Sequence, residues 1–246
     1  MKIALLSDIH SNIQALRSCL ADARSRAVDR FAFLGDFVGY GADPGLVVDV
    51  IEEYVAKGAI AVRGNHDEAI YNDSIYMNDM AMTAIEYARQ VLTPTQTLFL
   101  RNLPMLVRDG TCCFVHASAA SAEKYPYIDS PSAAQRCAEA SESPHTFCGH
   151  VHEQRLYFGM PGAKMILFRP TPGIAVPVPS HRRWVGLIGS VGQPRDRNPR
   201  AAYAIFDSAR NTTTFCRVSY DHFAAAARVR EAGLPELLAY RVENGF

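Results

Sequence analysis

At 246 residues, 48% of them apolar, the chain is long enough to bury a substantial core. Lysine plus arginine balances aspartate plus glutamate at 25 each, so no global field draws it toward nucleic acid or an anionic membrane. No apolar run can span a bilayer, the N-terminus has no secretory h-region, and the six cysteines show no C-x-x-C spacing, so reduced core thiols in the cytoplasm are expected.

Residues 2–7 are the first predicted strand. Ile13, Leu16, Leu20 and Ala23 then recur at helical spacing, which predicts an amphipathic helix over 12–27. Phe31-Ala32-Phe33-Leu34 is the second strand. Asp43-Pro44 is an N-cap followed by proline at the first helical position, and that helix runs to Gly58. A third strand, Ala59–Val62, follows at once. Strand, helix, strand, helix, strand with short joints calls for parallel strands covered by helices. From 68 to 103 the pattern is helical with a break at Thr93-Pro94, which predicts two or three helices. Met105–Arg108 and Thr111–Val115 read as a hairpin around Asp109-Gly110. A polar loop over 119–130 leads to a helix from Ser130-Pro131 to about Ala140, then a strand at His145–Cys148. Strands are expected over 164–168, 173–178, 183–190, 201–207 and 212–218, before a helix near 221–231 and a tail. A single domain spanning 1–246 is expected.

Five of these strands run straight into polar residues. Ile3–Ser7 leads to Asp8-Ile9-His10, Phe31–Leu34 to Gly35-Asp36, and Ala59–Val62 to Gly64-Asn65-His66-Asp67. Cys112–Val115 leads to His116, and His145–Cys148 to Gly149-His150-Val151-His152. Parallel α/β sheets bind ligands outside the carboxyl ends of their strands, so these residues should converge on one crevice. In an extended segment residues i and i+2 face the same side, so Asp8 with His10, and His150 with His152, would each present two ligands. Two Asp, one Asn and four His are too many for one tetrahedral zinc and suit two divalent ions sharing a carboxylate bridge. Ions roughly 3.5–4 Å apart would clamp the oxygens of an in-line displacement at phosphorus. Gly64 would permit a sharp turn at its strand end. His66, the histidine left over, is the expected proton donor to a leaving alkoxide, with Asp67 fixing which ring nitrogen carries the proton. His145, His181 and His222 have no ligand-type companions.

Asp8-x-His10, Gly35-Asp36, Gly64-Asn65-His66-Asp67, His116 and Gly149-His150-x-His152 resemble the five motif blocks of the calcineurin-like dinuclear metallophosphoesterases. The resemblance implies an α/β fold, a four-layer αββα sandwich of two mixed β-sheets flanked by helices. It implies one metal on Asp8, His10, Asp36 and His152 and another on Asp36, Asn65, His116 and His150, with Asp36 as the bridge. His66 would be general acid and phosphate contact, oriented by Asp67. Protein phosphatases and diadenosine tetraphosphatases of this superfamily carry an arginine shortly after the second block, where this chain has Phe37-Val38-Gly39-Tyr40-Gly41. Lipid-pathway pyrophosphatases have arginine where this chain has His66. The pattern that remains is similar to the compact prokaryotic phosphodiesterase branch.

The expected activity is therefore hydrolysis of a small phosphodiester by in-line attack of metal-bound hydroxide, with His66 as general acid. Mixed nitrogen and oxygen ligation is compatible with manganese, iron, zinc, nickel or cobalt. The alternative is a catalytically silent metal-binding scaffold for a protein partner, which lost ligands would favour; none is missing. A nucleic-acid polymer would call for a basic groove that the net charge does not offer. In Gly189-Ser190-Val191-Gly192-Gln193-Pro194-Arg195-Asp196 the glycines would let backbone approach a ligand and Arg195 would pair with a phosphate. The competing expectation is a solvated basic loop of Arg195, Arg197 and Arg200. Asn12 is a further candidate phosphate contact.

Overall fold

The computed structural model describes residues 1–246. In chain order its first strands are β1 (Lys2–Leu6), β2 (Arg30–Phe33), β3 (Ile60–Ala61), β4 (Leu106–Asp109), β5 (Cys112–Val115) and β6 (His145–Cys148). They are followed by β7 (Gln154–Gly159), β8 (Ile166–Phe168), β9 (Ala175–Pro177), β10 (Arg183–Ile188), β11 (Ala201–Asp207) and β12 (Thr212–Val218). These strands make two mixed six-stranded sheets, ordered β3-β2-β1-β11-β12-β9 and β4-β5-β6-β10-β7-β8. Within the first, β1, β2 and β3 are parallel to one another, and within the second β5, β6 and β10 are. Parallel neighbours end at the same edge, which is what brings distant motifs together.

Side-chain alternation along β1 builds the layers. Ile3 and Leu5 join Phe114, Phe147, Leu156 and Phe206 in the core between the sheets. Ala4 and Leu6 face the other way. There they meet α1 (Ile13–Ser25), α2 (Pro44–Ala56), α4 (Asp79–Val91) and α5 (Pro94–Asn102) through Leu16, Leu20, Val47, Ile51, Ile85 and Leu100. On the far face of the second sheet, α6 (Pro131–Ser141) packs Ala134, Cys137 and Ala138 against Val115, Tyr157, Val185 and Leu187. The order of layers is therefore helix, sheet, sheet, helix, the α/β sandwich expected. Local signals act as anticipated at the helix ends. Pro44 opens α2, and Thr93 with Gln96 forms a capping box for α5. All six cysteines are free and buried.

Three elements depart from the sequence reading. α3 (Asn65–Ala69) turns the third motif into a short helix, with Asp67 accepting from the Gly64 N–H. β7 was not anticipated because its strand begins with the polar Gln154 and Arg155 directly after a ligand motif. The expected tail contains α8 (Glu236–Asn244), which packs with α7 (His222–Glu231), α4 and Tyr40 through Ala81, Ala226, Leu238 and Val242. Exposed Leu237 and Tyr240 blur its apolar stripe, and Pro235 at its start offers no side-chain cap.

Candidate metal centre

The five strand ends do converge, but by a tighter backbone than extended chain. Asp8, His10, Asp36, His150 and His152 all have positive φ, between 47° and 65°. The expectation that i and i+2 pairs work by strand alternation is thus corrected: each pair is presented from left-handed turns. Such conformations cost about 1–2 kcal/mol per non-glycine residue and gather where a site requires them. Backbone bonds lock them in place, with Asp8 N–H donating to Gly35 O and the Ile9 and His10 N–H groups to Asp36 O. Gly64 also acts differently from the expectation. Its φ of −101° is ordinary, so it supplies space and not a special turn. A side chain there would collide with the Asp36 carboxylate, just as one at Gly149 would collide with Ser7 and Asp8.

Buried donor atoms gather as Asp8, His10 and His152, as His10, Asp36 and His66, and as Asp36, His116 and His150. His10 Nε2 lies 3.1 Å from His152 Nε2, which lies 3.2 Å from Asp8 Oδ1. His116 Nε2 lies 3.3 Å from Asp36 Oδ2 and 3.2 Å from both Asn65 Oδ1 and His150 Nδ1. Ligands about 2.1 Å from one cation, at adjacent corners of its shell, sit about 3.0–3.4 Å apart. The spacing matches.

Tautomers give the same answer. The Nδ1–H of His10 donates to Val38 O (3.1 Å), that of His116 to Leu34 O (2.7 Å) and that of His152 to Gln193 O (2.7 Å). Carbonyls only accept, so each Nδ1 carries a proton and each Nε2 faces inward, where the neutral ring offers a lone pair and His116 would first release its second proton. Two neutral lone pairs pointed at each other repel; a cation between them removes the conflict. Burial would raise the Asp36 and Asp8 carboxyls, but surrounding histidines hold both well below the usual carboxylate range. Burial pushes His150 down to about 3 and His10 well below its usual value, while Asp36 offsets burial at His116 and raises it to about 9. Most of the donor set is thus unprotonated at neutral pH, as cation binding requires. The residues fit divalent metal.

His66 stands over this cluster, buried, with Nδ1 lacking any hydrogen-bond partner. Its ring packs on Tyr40 at 4.6 Å and edge-on to His10 at 4.8 Å. Gly39, at φ +84°, lies against Nδ1 so closely that a methyl group would collide with it. Burial pushes His66 down to about 4.

The expected orientation of His66 by Asp67 is corrected. The Asp67 carboxylate accepts from four backbone N–H groups, those of Asp36 and Phe37 (2.8 Å each), Gly64 (2.9 Å) and Val38 (3.3 Å). Its hydrogen bonds hold the second and third motif loops together and leave His66 untouched. Burial and the Asp36 charge push Asp67 up to about 7, and the backbone donors pull the other way. Asp67→Ala leaves those donors buried and unmatched, and is expected to cost about 3–5 kcal/mol in urea unfolding of metal-free protein. A loss under about 1 kcal/mol would mean water replaces the carboxylate.

The weaker candidates separate. Asn12 is fully employed inside the protein: it caps α1 by accepting from Ala15 N–H (3.0 Å), and it donates to Gly192 O (3.0 Å) and Tyr220 OH (3.2 Å). It has no free group for a phosphate. Gly189 and Gly192 do allow close approaches, but to protein, since side chains there would strike Gln154 and Ala202 or the Ile9 carbonyl. Arg195, in contrast, lines the cleft above the cluster with His66, His150 and His152. That cleft of about 500 Å³ is walled by the loops at 74–78 and 123–127. Sequence reasoning passed over its aromatic lining, Tyr40, Tyr76, Tyr125 and Tyr127. Tyr127 stacks on His150 at 4.1 Å, and Tyr125 donates to Glu68 (2.6 Å) on α3. Only their nearness to the His116 motif in sequence hinted at this.

A two-sheet sandwich with clustered Asp and His side chains at its strand ends is the architecture of a metallophosphoesterase. Residues 1–211 match the calcineurin-like phosphoesterase superfamily domain, and the chain belongs to that superfamily. It is 34% identical to a metallophosphoesterase from Sphaerobacter thermophilus, whose crystal structure superposes with a TM-score of 0.88 over 100% of this chain and 99% of that one. It is 30% identical to the uncharacterized protein MJ0912 of Methanocaldococcus jannaschii, across 99% of this chain and 98% of the relative. The hypothetical protein PH1004 of Pyrococcus horikoshii shares the fold, with a TM-score of 0.78, 19% identity and coverage of 100% and 98%. The superfamily assignment makes the chain a hydrolase of phosphoester bonds with groups suited to divalent metal. No helix is long and apolar enough to cross a membrane.

Proposed function

We propose that the chain is a cytoplasmic, single-domain phosphodiesterase acting on a small phosphate ester with two divalent ions. Asp8, His10, Asp36 and His152 would hold one ion, and Asp36, Asn65, His116 and His150 the other. The observation that carries this reading is the overlap of three buried donor groups, in which Asp36 meets His10 on one side and His116 with His150 on the other, under a cleft that His66 also lines. When bound, the metals supply Lewis-acid stabilisation of charge at phosphorus and lower the pKa of water.

The chain's own residues do the rest. Carbonyls of Leu34, Val38 and Gln193 hold three imidazoles at fixed angles, so the donors need no reorganisation. His66 Nδ1 is buried against Gly39, so the opposite edge of the ring, toward the cleft, would meet an ester oxygen and deliver the proton to the departing alkoxide. Tyr40 and the buried setting keep bulk water from that ring. A cleft of about 500 Å³ has room for substituents beyond the reacting phosphate, as a small diester requires.

The test is hydrolysis of bis(p-nitrophenyl) phosphate by chelator-treated protein reconstituted in turn with manganese, iron, zinc, nickel and cobalt. Activity restored by at least one metal and abolished by EDTA is expected. No hydrolysis with any of them would leave the metal-binding scaffold.

A further inference from the structure

Two loops wall the cleft above the donor cluster, and each brings an aromatic ring to it. Tyr76 comes from the loop after α3 and Tyr127 from the loop after β5. Tyr76 is 89% exposed and Tyr127 57%. Single exposed aromatics are common on protein surfaces. The way these two are held is not. One face of Tyr127 lies on His150, with planes 26° apart, and the rest of the ring borders the cleft. Ile75 and Met77 pack on the core, which leaves Tyr76 between them exposed.

The loop that carries Tyr127 has a costly backbone. Ser121 and Tyr125, on either side of the helical turn Ala122–Lys124, have φ of 58° and 49°. Left-handed backbone is an outlier for a bulky aromatic residue and persists only where its surroundings enforce it. Glu68 on α3 supplies the enforcing contact, its Oε2 accepting from Tyr125 OH (2.6 Å). The same carboxylate holds the other wall. Its Oε1 accepts from Asn72 Nδ2–H (2.9 Å), and Asn72 Oδ1 accepts from the Ser74 N–H (3.1 Å) and hydroxyl (2.7 Å), just before Tyr76. Both aromatic loops are therefore tied to α3, the helix that also carries Asn65 and His66. Rings fixed in advance lose little entropy when a ligand docks.

We propose that Tyr76 and Tyr127 form a stacking site for a flat ring on the substrate, which narrows the diesters to those carrying a nucleobase or a simple aryl group. The inference rests on reading the cleft as a phosphodiesterase site. The reacting phosphate sits over the metal donors beside His66, and the ring sits outward of it between the two loops. Tyrosine faces accept planar rings by offset stacking. Glu123 and Lys124, exposed on the same rim, add an acceptor and a donor for the polar edge of a nucleobase.

Adenosine 5′-phosphate, phenyl phosphate and ribose 5-phosphate share a phosphate and differ in the ring they carry. Each is titrated by calorimetry into metal-free, full-length protein. Wild type is expected to bind adenosine 5′-phosphate about tenfold more tightly than ribose 5-phosphate. Tyr76→Ser and Tyr127→Leu should each lose most of that advantage and leave ribose 5-phosphate affinity alone, while Tyr127→Phe keeps it. Equal binding of the two by wild type overturns the site, as does an advantage that survives in both variants. Tyr76 is so exposed that its replacement does not threaten the fold, so Tyr76→Ser decides if Tyr127→Leu fails to fold. Phenyl phosphate separates the two kinds of ring: affinity equal to adenosine 5′-phosphate means a simple aryl group, and affinity equal to ribose 5-phosphate means a nucleobase.

The second arm restores the metals and measures methanol released from the methyl esters of adenosine 5′-phosphate and ribose 5-phosphate. Tyr76→Ser should raise KM for the adenosine ester about tenfold more than for the ribose ester, with kcat kept. Equal changes for the two overturn the proposal. Hydrolysis of neither would defeat the phosphodiesterase reading, while the titrations still decide the stacking site.

Discussion

His66→Ala is expected to lower kcat by a factor of about 10²–10⁴ while the protein keeps its full metal content. The imidazole is the one ring at the centre whose Nδ1 meets neither a carbonyl nor another donor. Burial holds it at about 4, so at neutral pH the free ring is uncharged. A phosphate anion entering the cleft supplies the negative charge that favours its protonated form, and breaking the ester bond then gives that proton an acceptor. The loss should therefore depend on the leaving group. An alkoxide needs the proton and should fall near the upper end of the range; p-nitrophenolate leaves well without it and should fall near the lower end. There is a competing role, because His66 also lies within reach of an ion held by His10 and Asp36. Metal analysis of the dialysed variant separates the two. Loss of an ion, or an equal loss for both leaving groups, would remove His66 from acid catalysis.

The layers of the fold and the donor cluster were legible in the sequence for one reason: each motif ends an apolar strand. Period-two burial in β1 and the parallel β1-β2-β3 order place Asp8, Asp36 and Asn65 at one edge without knowledge of any long-range contact. The local backbone was not legible. Left-handed φ at five candidate ligand residues is uncommon for any residue with a side chain, even for Asp and His, which tolerate it better than most, and tertiary bonds such as Asp8 N–H to Gly35 O impose it. Asp67 misled for a related reason. Adjacency to His66 suggested a side-chain pair, but α3 turns the carboxylate toward backbone donors some 30 residues away in sequence. α8 was hidden in an apparent tail, since only the docking of its Leu238 and Val242 beside Tyr40 makes it part of the fold. Residue type and spacing reveal which atoms can bind a cation; they do not reveal which loop will lie across the mouth of the cleft.

Asp36→Asn is the substitution expected to do the most damage to function for the smallest change in shape. Asparagine tolerates the left-handed φ of 53° better than other residues, and its carbonyl can still accept the His66 N–H that Asp36 Oδ1 accepts at 2.9 Å. What it removes is the charge on Oδ2, which lies 3.3 Å from His116 Nε2 and 3.7 Å from His10 Nε2. Asp36 thus lies between His10 and the His116–His150 pair, where a shared ligand would sit. Without that charge two cations would face each other across a neutral amide, and their repulsion would go uncompensated. The metal content should drop from two ions per chain to one or none, and kcat/KM for a chromogenic diester should fall by about 10³-fold or more. Asn65→Ala, by comparison, removes a neutral ligand from only one ion and should cost less on both measures. Plasma emission analysis of dialysed protein reads the first quantity and steady-state kinetics the second. Retention of two ions by Asp36→Asn, or a wild type that never holds more than one, would show that Asp36 is not a bridge.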